Sequence, residues 1–198
     1  MDWRERYERA AERYAAGETR EPDERQLVQL ANTAWAAGLS LLMAGDRTAA
    51  AEWLRRAAGR YRESWDEGAA TDSWGRPIAA MKALLIAGED ADDAARWAVD
   101  AGAVQADSPI GRYAAALALL VLGRDSEAGA LTATLGEDFP SDVAASLAAL
   151  ATRDADGYRV AVAAVRHSFE TGEAFLEDVP VPDTALALDA LAAQRGLA

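Results

Sequence analysis

The feature that most constrains this chain is a short pattern in which glycine, then aspartate within two residues, follows an apolar helix end. The pattern occurs at residues 42–46, 85–90 and 121–125, and a fourth copy at 150–154 keeps the aspartate but lacks the glycine. Glycine ends a helix by adopting a left-handed backbone conformation, and aspartate caps the start of the next helix. The pattern therefore predicts successive helices that fold back on one another as helical hairpins.

The composition and the caps predict helix along most of the chain. Alanine, the strongest helix former, supplies 50 of the 198 residues. No segment shows the period-two alternation of a strand, and only residues 179–182, Val-Pro-Val-Pro, are typical of an extended connector. We expect an all-α array of antiparallel helix pairs with ten helices, at residues 2–16, 22–44, 46–65, 77–87, 90–103, 109–123, 126–135, 141–152, 154–171 and 182–195.

No linker composition interrupts the chain, so we expect a single helical domain over residues 1–198. Its parts would be an amphipathic N-terminal helix within residues 1–20, helical hairpins over 22–178, and a C-terminal capping helix over 180–198.

The turn pattern resembles that of tetratricopeptide repeats, most closely over residues 35–61. Gly38 precedes the Gly45-Asp46 turn by seven residues, as in that family, and Ala50, Leu54 and Ala57 fall on its small, large and small packing positions. In a later unit, Trp97 takes the large position. The resemblance implies a right-handed superhelix of helix pairs with a concave face that binds another protein.

A second resemblance covers residues 70–198. Residues 72–97, residues 153–158 with the helix that continues to His167, and residues 186–192 before Gly196 are similar to an α-helical family of bacterial toxin-immunity proteins. This resemblance implies that the protein binds a toxin and blocks it.

The charge balance narrows the choice of partners. With 33 acidic and 20 basic residues, the net charge is −13, and no basic stripe interrupts the acidic surface. Phosphate backbones and anionic membranes repel such a surface, so we expect neither nucleic acid nor membrane as a partner. The first residues lack the apolar stretch of a signal peptide, which favours a cytoplasmic protein. The single lysine, Lys82, fits a GC-rich genome or a halophile equally well.

Few residues could carry chemistry. The chain has no cysteine and one histidine, His167, whose neighbour Ser168 points in another direction on a helix. The carboxylates of residues 88–93 lack the spacing of a calcium loop, and residues 123–129 lack the lysine of a phosphate loop. We therefore expect no catalytic residue, metal or cofactor. An enzyme that uses carboxylates alone is the remaining catalytic alternative.

The best candidates for a binding site are Trp65, Trp74 and Arg76. Both tryptophans flank a short loop, and Trp74 and Arg76 directly precede a predicted helix. Tryptophan and arginine carry much of the binding energy at protein interfaces. The alternative is a loop that packs these side chains against the core.

The region between Arg166 and Arg195 contains six acidic residues and no basic one. It is either a solvated edge or a surface that attracts a basic partner. The preferred function is a non-enzymatic protein–protein interaction scaffold, and the alternative is an immunity-type protein that neutralises a toxin. The expected partner is another protein or peptide, basic if the acidic region takes part, and a homodimer stays open.

Overall fold

A computed structural model describes residues 2–18, 21–172 and 175–197. Within these ranges the chain forms α-helices and two short 3-10 helices, Ala103–Gln105 and Leu176–Asp178, and no strand. The predicted all-α fold with about ten helices is confirmed. The α-helices are α1 (Trp3–Gly17), α2 (Glu24–Met43), α3 (Arg47–Asp66), α4 (Gly75–Ala87), α5 (Asp92–Asp100), α6 (Pro109–Val121), α7 (Asp125–Thr132), α8 (Ser141–Thr152), α9 (Ala155–Glu170) and α10 (Asp183–Gln194).

The chain divides into two compact units, which are treated separately below. Of the described residues, the first unit takes 2–89 and 175–183, and the second takes 90–172 and 184–197. Helices α1–α4 thus belong to the first unit and α5–α9 to the second. The single domain expected over residues 1–198, with its parts 1–20, 22–178 and 180–198, stays a prediction.

In the first unit each helix packs on the next one in the chain, from α1 to α4. Helices α2 and α3 approach each other closely at Gly38, where an added Cβ would stand 2.8 Å from Leu54 Cγ. Ala50, Leu54 and Ala57 are at most 1% exposed. The residues predicted to pack as small, large and small side chains are therefore buried in the core, against a glycine that has no side chain to clash with them.

The predicted turns have the predicted backbone conformation. Gly45, Gly88 and Gly123 have φ values of 86°, 75° and 71°, the left-handed region. In the fourth copy Arg153 stands where the glycine is missing, and it adopts the same conformation with φ of 57°. The turn geometry is therefore kept even where a side chain makes it costly.

The aspartates after these turns do not all act alike. Asp46 and Asp154 accept hydrogen bonds from backbone amides in the first turns of α3 and α9, as predicted. Asp90 accepts from the amide of Asp92, but Ala91 is the residue that precedes α5. The prediction is wrong for Asp125, which is the first residue of α7 and forms ion pairs with Arg153 and Arg195 instead.

The second unit is built around α6. Residues 113–120 of this helix are buried, and α5 and α7 both pack on it. Arg195 Nη1 donates a hydrogen bond to the carbonyl oxygen of Leu120 (2.7 Å), and its other nitrogen pairs with Asp125. The arginine thus binds a carbonyl at the C-terminal end of α6, where the helix dipole favours a positive charge. Helix α5 is shorter than the predicted 90–103, because Gly102 takes a φ of 93° and a 3-10 turn follows.

The contact between Gly38 and Leu54 leads to a prediction about stability. We expect Gly38→Ala to lower the free energy of unfolding by about 2 kcal/mol, because the methyl group forces α2 and α3 apart. The matched control is Gly59→Ala on the exposed side of α3, where no atom lies within 4 Å of the new Cβ. This control should raise the free energy of unfolding by about 0.5–1 kcal/mol through helix propensity. Equal effects of the two variants in urea denaturation would contradict the close approach.

The left-handed turns lead to a second prediction. Arg153→Gly should raise the free energy of unfolding by about 1 kcal/mol, because glycine adopts this conformation without strain. The ion pair lost with Asp125 is 3.3 Å long and exposed on the arginine side, so it offsets little of this gain. Gly123→Ala at the equivalent position should lower the stability by about 1 kcal/mol. Thermal unfolding of both variants shows whether each substitution stabilises or destabilises the protein. A destabilised Arg153→Gly variant would contradict the strain assigned to Arg153.

Candidate functional site

The structure brings the three residues predicted from the sequence together in the first unit. The rings of Trp65 and Trp74 lie with their centroids 6.0 Å apart, Trp65 near the end of α3 and Trp74 just before α4. Trp74 is only 6% exposed, and Trp65 is half-buried. Trp74 therefore offers little surface to a partner, and its burial favours the alternative in which the loop packs on the core.

Arg76 is tied to two neighbouring helices. Its Nε donates a hydrogen bond to Ser64 Oγ of α3 (3.1 Å), and its Nη2 forms an ion pair with Glu24 of α2. The side chain is 19% exposed, and burial lowers the pKa of its guanidinium from the ordinary value. These contacts fix the start of α4 against α2 and α3. The binding role of Trp65, Trp74 and Arg76 stays a prediction, and the contacts themselves are those of a packing cluster.

The other residues weighed for chemistry lie at exposed helix ends. His167 is exposed in the last turn of α9, and Asp92 and Asp93 lie in the first turn of α5, where Arg96 pairs with both. In the part of the chain that the structure describes, no three carboxylate or imidazole groups are grouped as metal ligands. Over the same residues, no helix combines the length and the apolar character needed to cross a bilayer.

A second candidate site involves residues 175–183, hereafter segment 175–183, which belong to the first unit. Arg6 Nη1 of α1 donates a hydrogen bond to the backbone oxygen of Asp178 (2.6 Å), and Arg13 Nη1 of α1 lies 2.9 Å from Glu177 Oε2. At the other end, Lys82 Nζ of α4 donates to Asp183 Oδ2 (2.8 Å). The segment therefore runs from α1 to α4, and a cation holds it at each end.

Burial along segment 175–183 alternates from one residue to the next. Val179 and Val181 are 5% and 1% exposed, and the side chains of Glu177 and Asp183 are 20% and 21% exposed. Asp178 between them is exposed. Residues 176–178 form a 3-10 turn with left-handed Glu177 and Asp178, and Val179 is the first residue after it with extended backbone. The segment thus buries its two valines against the helices, with a paired acid on either side of them.

The helix surface beneath segment 175–183 is aromatic and polar as well as cationic. Lys82 Nζ lies 5.6 Å from the centroid of the buried Trp35 ring. The Tyr61 hydroxyl donates a hydrogen bond to Asn32 Oδ1 (2.6 Å). Burial raises the pKa of Tyr61 well above its usual value, and the charges of Asp183 and Glu177 raise it further. Tyr61 therefore stays a neutral donor, and the acids of the segment lie close enough to affect it.

Two clefts remain open beside the Arg13–Glu177 pair. One encloses about 490 Å³ between α1, α2 and residues 177–179, and the other about 430 Å³ between the ends of α1 and α2. Ser40 of α2 lines the larger cleft, and its hydroxyl is buried without a hydrogen-bond partner among the described residues. We call Arg6, Arg13 and Lys82 the docking face.

The sequence indicated segment 175–183 only in part. It predicted an extended connector at 179–182, but it treated the acids between Arg166 and Arg195 as a solvated edge. That expectation is wrong for Glu177 and Asp183, which pair with α1 and α4, and for Asp189 in the second unit, which accepts from Tyr158 and pairs with Arg166. Another of these acids, Glu173, lies outside the described residues. No local pattern links positions so distant along the chain.

The buried aromatic pair leads to a prediction. We expect Trp74→Ala to lower the free energy of unfolding by about 3 kcal/mol, because it leaves a cavity beneath the loop before α4. Trp65→Ala removes the half-buried ring of the same pair and should cost less. Chemical denaturation followed by circular dichroism measures both losses. A Trp74→Ala protein as stable as wild type would contradict the packing role of Trp74 and favour its role in binding a partner.

The chain matches no protein-family model, no curated protein and no solved structure. The resemblances to tetratricopeptide repeats and to toxin-immunity proteins therefore stay predictions.

Proposed function

We propose that this protein is a non-enzymatic interaction scaffold of the tetratricopeptide-like type, and that α1, α2 and α4 bind an extended peptide of a partner. The observation that carries the proposal is segment 175–183, which lies across these helices with Glu177 and Asp183 paired and its two valines buried. The helix surface already has the contacts that an extended peptide needs. In this proposal the helix pairs form the right-handed superhelix implied by the resemblance.

The chemistry of the docking face supports peptide recognition. Arg6 binds a main-chain carbonyl, which every peptide carries, while Arg13 and Lys82 bind side-chain carboxylates. Main-chain contacts give affinity without sequence preference, and side-chain contacts give specificity. Charge-assisted hydrogen bonds of this kind are the stronger ones in proteins. The face therefore combines both parts of a peptide site.

The covalent tether between the segment and the rest of the chain sets the affinity that we expect for the free peptide. A tethered segment experiences an effective concentration on the order of 1 mM. With the segment docked in about ten of every eleven molecules at that effective concentration, the same sequence as a free peptide has a dissociation constant of about 100 µM.

The test is binding in trans. Residues 176–182 are replaced by a Gly/Ser linker of equal length and Asp183 is changed to Asn, so that Arg13 and Lys82 lose their internal partners. A fluorescein-labelled peptide with the sequence of residues 175–183 is titrated into this variant. We expect saturable fluorescence anisotropy with a dissociation constant of about 100 µM or tighter. Far-UV circular dichroism confirms that the variant is folded. A peptide in which Glu177, Asp178 and Asp183 become amides is the control and should bind more weakly, since it cannot pair with Arg13 and Lys82. A folded variant that binds neither peptide would contradict the proposed function.

A further inference from the structure

We propose that segment 175–183 is an internal mimic of the partner, so that the partner peptide is extended and acidic and must displace the segment to bind. This inference rests on the proposed function and adds the chemical class of the peptide and the way in which access to the docking face is controlled. The evidence is the pairing of charges, the alternation of burial and the backbone conformation of the segment.

The charges select an acidic peptide. The docking face offers Arg6, Arg13 and Lys82 to the segment, in a chain whose net charge is −13. Lys82 is the only lysine of the chain, and its side chain is 12% exposed beneath Asp183. A nearby carboxylate stabilises a partly buried cation, so a peptide that displaces Asp183 binds better when it brings a carboxylate of its own to Lys82. The site therefore favours acidic peptides over neutral and basic ones.

The spacing of the buried side chains defines the peptide further. Glu177, Val179, Val181 and Asp183 occupy every second position; the two valines are buried, and the two acids are partly exposed, as are Pro180 and Pro182. A peptide that replaces the segment should therefore carry two acids six residues apart, with small apolar side chains at the positions of the two valines. Each proline is the centre of a tight turn, in which the amide of Val181 donates to the oxygen of Val179 and the amide of Asp183 to the oxygen of Val181.

The conformation of the segment makes displacement feasible. Glu177 and Asp178 have φ values of 56° and 57°, a region that L-residues other than glycine rarely adopt. The segment thus docks with local strain at its first acid, and a free peptide that supplies its carboxylate from an extended backbone avoids that strain. The larger cleft next to residues 177–179 leaves room for such a change of backbone path.

The experiment compares an opened variant with a matched control. Glu177→Gln together with Asp183→Asn removes both acid anchors of the segment but keeps its length and prolines. Glu137→Gln together with Asp138→Asn makes the same charge change at two exposed positions of the second unit. The probe is the labelled peptide with the sequence of residues 175–183, titrated into wild type and both variants, with circular dichroism to confirm folding.

We expect the opened variant to bind the peptide about tenfold more tightly than wild type, because the internal competitor is weakened. The control variant should bind like wild type. Equal affinity of wild type and the opened variant would overturn the internal mimic and leave peptide binding intact, whereas tighter binding of the amide peptide than of the acidic one would overturn the acidic class. Absence of binding to every folded variant would overturn the proposed function as well.

Discussion

The structure depends on the left-handed turn that ends one helix and lets the next begin at once. Gly45, Gly88 and Gly123 adopt this conformation, and Arg153 adopts it at a cost. Because the turns are short, consecutive helices must run back along one another, and their contact surfaces must be smooth enough for close packing. Small residues supply that smoothness, most clearly at Gly38, where the side chain of Leu54 occupies the space that a Cβ would need.

This packing places α1, α2 and α4 around segment 175–183. A chain with so large an acidic excess could have left all of its acids in solvent, where they keep the protein soluble. Instead, Glu177 and Asp183 lie against two of its cations, Arg13 and Lys82. Arg13 is exposed, but the side chains of Glu177, Asp183 and Lys82 are 20%, 21% and 12% exposed, and ion pairing offsets their desolvation. The docking face is therefore stable when an acidic extended chain lies on it, whether that chain is internal or comes from a partner.

Local sequence patterns predict the helices of this structure but not the contacts between residues that are distant along the chain. Helix type, number and approximate ends follow from alanine content, glycine turns and caps, and Gly38, which stands seven residues before the turn, lies against Leu54 of the core. The helix cap predicted at Asp125 is wrong, because Arg195, which is distant along the chain, binds the carboxylate instead. Trp74 drew attention as a binding residue because exposure is invisible in a sequence. The docking of Glu177 and Asp183 joins residues about a hundred or more positions apart, which no periodicity encodes.

The most direct test of the account is zero-length carbodiimide cross-linking, because Lys82 is the only lysine and its Nζ lies 2.8 Å from Asp183 Oδ2. We predict an isopeptide bond between Lys82 and Asp183 in the folded wild-type protein, mapped by mass spectrometry. Excess acidic peptide should reduce this product and give a cross-link from Lys82 to the peptide. A Lys82 that links to neither, or an internal product that the peptide leaves unchanged, would contradict the account.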